Sequence, residues 1–81
     1  MNAIDFIRDT VLNNATLCEF RYHGKSGNID PGYLEDKPDS FLLWYDGQET
    51  IAYGFDAVLR TPFLDGHCLA DAAGELTDLE G

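Results

Sequence analysis

A chain of 81 residues leaves room for one domain, and residues 1–81 read as a single small acidic domain. Its 44% hydrophobic and 12% aromatic content excludes a disordered acidic tail. Fifteen acidic residues against five basic ones, a net charge of -10, exclude nucleic acid and anionic membranes as direct partners and favour basic proteins.

In chain order, residues 3–13 have the apolar spacing of a helix (Ile4, Ile7, Val11), with Asn2 as N-cap and Asp5 three residues on. Residues 16–23 alternate as a strand, with Cys18, Phe20 and Tyr22 on one face. Gly24 to Gly27 reads as a turn, and Ile29 to Asp39, with Pro31-Gly32 and Pro38, as a loop long enough to carry function. Residues 40–45 are apolar on both faces and predict a central strand. Asp46-Gly47 is a two-residue hairpin signal, and residues 48–53 return as its partner with Ile51 and Tyr53 inward. Phe41, Leu43, Trp44 and Ile51 are the expected core. Phe55 to Arg60 reads as a short helix ended ahead of Pro62. Asp65-Gly66 reads as a turn, and Cys68 to Leu79 as a last helix with Leu69, Ala72, Leu76 and Leu79 as its stripe. The expected fold is α+β: a three-stranded antiparallel sheet with an N-terminal helix and two C-terminal helices.

No chemistry-bearing motif accompanies this pattern. Cys18 and His23 are five apart on a strand and diverge, and adjacent His67 and Cys68 diverge too, so the spacing is wrong for zinc. The same residues carry no nucleophile signature. The acids lie in loops and on polar faces, where nothing raises a carboxyl into the acid–base range. Neither a calcium loop nor a phosphate-cradling glycine loop is present. No catalytic residue, metal or cofactor is expected. Cys18 reads as a small buried hydrophobe. Two cysteines are too few for a secreted framework, and Asp5 and Asp9 interrupt any signal-peptide core. The expected location is the bacterial cytoplasm.

Charge is uneven along the chain: residues 31–81 hold eleven of the acids and two bases, Lys37 and Arg60. The expected partner-binding residues are Asp30, Tyr33, Glu35, Asp36 and Asp39 in the loop, where an aromatic sits among carboxylates. Asp71, Glu75 and Asp78 form a second set, at spacings that share a helical face. The opening Met1-Asn2-Ala3-Ile4-Asp5-Phe6-Ile7-Arg8-Asp9 resembles the first helix of small acidic phage anti-CRISPR proteins. That resemblance implies an inhibitor that imitates nucleic acid in the basic groove of a CRISPR nuclease. It covers nine residues; Pro62, Asp65-Gly66 and the Ala-rich last segment depart from it. The alternative is a self-associating structural or accessory domain, a homo-oligomer whose acidity serves solubility. Acids gathered on one face favour the inhibitor; acids spread over all faces favour the solubiliser.

Overall fold

Asn2 caps the first helix: its side-chain oxygen accepts the Asp5 amide at 2.8 Å. The Asp5 carboxylate turns instead to Arg8, at 3.0 Å. This is a computed structural model and it describes residues 2–81; Met1, where the anti-CRISPR resemblance begins, lies outside them. Helix α1 (Ala3–Arg8) continues as a π-helical turn over Asp9–Asn13 and buries Ile7, Thr10 and Val11.

Five antiparallel strands follow, not the three expected. They are β1 (Cys18–Tyr22), β2 (Lys25–Pro31), β3 (Ser40–Tyr45), β4 (Gln48–Tyr53) and β5 (Thr77–Glu80). The spatial order is β4-β3-β2-β1-β5, a meander with the last strand returning beside the first. Two tight turns build the meander. His23-Gly24 and Asp46-Gly47 both take positive φ (51° and 78°; 48° and 85°), the form whose twist matches the flanking strands.

The segment expected to be a turn and the start of a loop is therefore β2. Lys-Ser-Gly-Asn-Ile-Asp-Pro is a poor strand sequence by propensity, but tertiary contacts override it. Gly27 lies between Phe20 and Tyr45 in the ladder, with the Phe20 ring over it. A Cβ at Gly27 would meet that ring at 2.5 Å. The glycine is there for the aromatic, not for a turn.

The register sets two faces. The inner one carries Cys18, Phe20 and Tyr22 of β1, Ile29 of β2, Phe41, Leu43 and Tyr45 of β3, and Ala52 of β4. All are buried in one cluster with Ile7, Val11, Val58, Leu69 and Ala72 from the helical segments and Leu64 from the turn that follows α2, so these segments cover this face. Helix α2 (Phe55–Arg60) follows β4 directly, as expected.

The expected final helix is the second correction. Helix α3 is only Leu69–Ala72, a 3-10 turn covers Ala73–Glu75, and Thr77–Glu80 pairs with β1 as β5. Gly74 weakens the helix at that point, and the free edge of β1 offers the polar residues after it a ladder. The expected face of Asp71, Glu75 and Asp78 thus does not exist: the three sit on α3, the 3-10 turn and β5.

Candidate protein-binding face

Trp44 and Ile51 were expected in the core, and Ile51 and Tyr53 inward. They lie on the other face. Asp46-Gly47 pairs Tyr45 with Gln48, which places Trp44 opposite Glu49, Leu42 opposite Ile51 and Ser40 opposite Tyr53. Phe41, Leu43 and Tyr45 take the helix side, so their strand neighbours must point away. Leu42, Trp44 and Ile51 stand outside the core cluster and are half-buried among themselves; Tyr53 is 49% exposed. Among the described residues, the helices pack against the inner face and not against this one.

Carboxylates surround its apolar centre. Asp30 stands opposite Leu42, Glu49 opposite Trp44, and Glu19 two strands away, opposite Asn28. Glu80 of β5 stands opposite Glu19, a like-charge pairing that costs stability. None of these four has an ion-pair partner among the described residues. The base of this face, Arg21, is engaged by Ser26 and the Gly24 carbonyl.

The loop before β3 leans on the same face. Ser40 is buried, and its hydroxyl accepts the Leu34 amide at 2.8 Å and donates to the Lys37 carbonyl at 2.7 Å. Its side chain points outward, so the turn holding Glu35 and Asp36 is fastened beside Tyr53. Exposed Tyr33 and Asp39 flank that turn. Of the expected binding residues, Asp30, Tyr33, Glu35, Asp36 and Asp39 therefore come together on or beside the outer face. Asp71 and Glu75 belong to the helical side, Glu75 held 3.1 Å from His23, and Asp78 lies at the β5 edge. Sequence reasoning misses Glu19, Leu42, Trp44 and Glu49 as parts of this face. Tyr53 reads from the sequence both as an inward strand residue and, with Phe55, as an aromatic flanking the end of the hairpin, and the second reading is the one the exposure fits. The available signal was the hairpin itself: once Asp46-Gly47 fixes the register, Glu49 shares a face with Trp44 and Ile51, and that face cannot be a sealed core.

Carboxylates are not confined there. Asp5, Asp9, Asp56, Asp71 and Glu75 lie on the helical segments, and Asp46 and Asp65 share Lys25 at 3.5 and 3.3 Å. The acids are spread, which is the arrangement expected of solubilising charge. What separates the outer face is the apolar and aromatic centre inside its carboxylates.

Burial, helped by Glu19, pushes the Cys18 thiol up to about 11. Burial also raises the Tyr22 and Tyr45 phenols, with nearby carboxylates adding to it. The Tyr45 hydroxyl donates to the Tyr22 carbonyl at 2.8 Å and lies 3.3 Å from Asp65. Among the described residues, no three His, Cys, Asp or Glu side chains converge to hold a metal ion, and no helix is long and apolar enough to cross a membrane. The chain matches no protein-family model, and no curated protein or solved structure is significantly similar to it.

Proposed function

We propose that this chain is a non-enzymatic binding protein whose outer sheet face engages a basic, nucleic-acid-binding protein. The observation that carries the reading is Trp44, Leu42, Ile51 and Tyr53 on a helix-free face ringed by Glu19, Asp30 and Glu49. Aromatic and apolar groups at the centre with charge at the rim are the anatomy of a protein-binding patch. Guanidinium groups suit it twice, by charge and by stacking on Trp44 and Tyr53. Nucleic acid occupies the same basic groups on such a partner, so the two compete. The N-terminal resemblance puts a CRISPR nuclease first among partners to try, with this chain as its inhibitor.

The test is a binding titration against a basic nuclease at rising salt, with and without its DNA. Collective charge pairing predicts steep weakening with salt and displacement by DNA. Binding that ignores both salt and DNA would refute the reading.

A further inference from the structure

The two edges of the sheet are built differently. At one, β5 is four residues long, carries Asp78 and Glu80, shifts register against β1, and takes a positive φ of 53° at Asp78. Short length, charge and irregularity are how proteins blunt an edge. At the other, β4 runs six residues in unbroken register with β3. It has no proline, no lysine and no positive φ, and Glu49 is its one charge.

The hydrogen-bonding groups of that open edge follow from the hairpin. A two-residue turn makes Tyr45 and Gln48 a bonded pair, so Gln48, Thr50 and Ala52 bond to β3. The amides and carbonyls of Glu49, Ile51 and Tyr53 then point out of the sheet. Among the described residues, no backbone or side-chain group outside β3 bonds to β4.

A cavity of about 390 Å³ runs along the inner side of this edge, lined by Gln48, Thr50, Tyr45, Phe63, Asp46 and Asp65 among others. Its two carboxylates share a single cation, Lys25, whose amine lies 5.8 Å over the Tyr45 ring. With two carboxylates to one cation the site is one positive charge short of balance, and Tyr45 and Phe63 give its lining an aromatic part.

We infer that β4 is a docking edge for an extended arginine-bearing segment of the partner, which adds as a sixth strand. The inference rests on the basic-partner reading above and specifies how the partner sits. Residues of the added strand opposite Glu49 and Ile51 bond to their free amides and carbonyls. Residues between them project to the inner side, where an arginine enters the cavity beside Asp46 and Asp65. Main-chain pairing supplies affinity and the cavity supplies selection for alternate basic residues. A second copy of this chain is the wrong occupant on charge, since it brings -10 against -10.

The test uses an alternating arginine–valine octapeptide and the full chain, followed by amide hydrogen exchange. In the free protein the Glu49, Ile51 and Tyr53 amides should exchange fast while Thr50 and Ala52 are protected. Saturating peptide should slow the three edge amides by about tenfold or more. Methylating the peptide's valine nitrogens removes the donors facing β4 and should weaken binding about tenfold; methylating its arginine nitrogens, at the same charge, should not. Lys25→Gln should tighten peptide binding more than Lys37→Gln, a matched charge change away from the cavity. Equal binding by the two methylated peptides overturns strand addition while leaving the basic-partner reading standing. Edge amides already protected in the free protein, in a concentration-dependent way, assign the edge to a second copy and overturn it too.

Discussion

Leu42 and Leu43 are adjacent in one strand and belong to two different environments. Leu43 has 0% exposure and sits under the helices; Leu42 faces away, half-buried among Trp44, Ile51 and the outer carboxylates. Along β3 both faces are apolar, which is the pattern of a strand covered on both sides. Here only one side is covered. The difference teaches that an apolar run on both faces of a strand need not mean two covered faces; on the proposed reading, the second cover is the partner.

The largest effect that sharpens this comparison is Leu43→Ala. Emptying a fully buried site should cost about 2–5 kcal/mol, a large share of a small domain's stability. Leu42→Ala, by denaturant melt under the same conditions, should cost about 1 kcal/mol or less, because solvent already reaches that face. Equal costs would mean the two faces are not distinct. Gly27→Ala is the next test, since its methyl collides with the Phe20 ring. Overpacking there should cost about 1–3 kcal/mol, read as a lower midpoint, and Phe20→Leu should relieve part of it.

Titration separates the faces too. Cys18, Tyr22 and Tyr45 are inner-face groups whose protonated forms the fold favours, through burial above all. Lys25, beside them, is raised by its hydrogen bond to Asp65. Each raised value means that the folded chain holds the proton longer than the unfolded one. The associated stability is full below the ordinary thiol value of 9.0 and falls as pH climbs toward about 11. Thermal melts should be flat between neutrality and the ordinary thiol value and decline above it. Cys18→Ala should delay the onset of that decline, whereas Glu49→Gln on the outer face should leave its shape unchanged.

The first two helices and the β3–β4 hairpin are legible in the sequence because their signals are local: the Asn2 cap, the stop ahead of Pro62, the Asp46-Gly47 turn and the apolar run of β3. The strands β2 and β5 are not, because their signals are tertiary. Ser26, Asn28 and Asp30 are polar residues on the outer face, and Gly27 serves the ring of a residue on another strand. Thr77–Glu80, apolar only at Leu79, carries no strand pattern of its own until β1 offers it an edge. The loop carboxylates were picked out by their company with Tyr33. The centre of the face does not read from composition for one reason: Trp44, Ile51 and Tyr53 are large and apolar, as core residues are, and only the register shows that Glu49 shares their face.

The most direct test of the account is to neutralise the two sides of the sheet in separate proteins and measure association with one basic nuclease at low salt. The outer-face variant carries Glu19→Gln, Asp30→Asn and Glu49→Gln. The helical-side variant carries Asp9→Asn, Asp56→Asn and Asp71→Asn, an identical change in net charge. Exposed charge pairs are worth about 0–1 kcal/mol each, so three acting together should weaken the outer-face variant by about tenfold or more. The helical-side variant should bind like the parent, and both should stay folded, the outer-face variant melting slightly higher because Glu19→Gln removes its like-charge pairing with Glu80. Equal weakening of the two variants would contradict the account, because the partner would then be reading net charge and no particular face of the molecule.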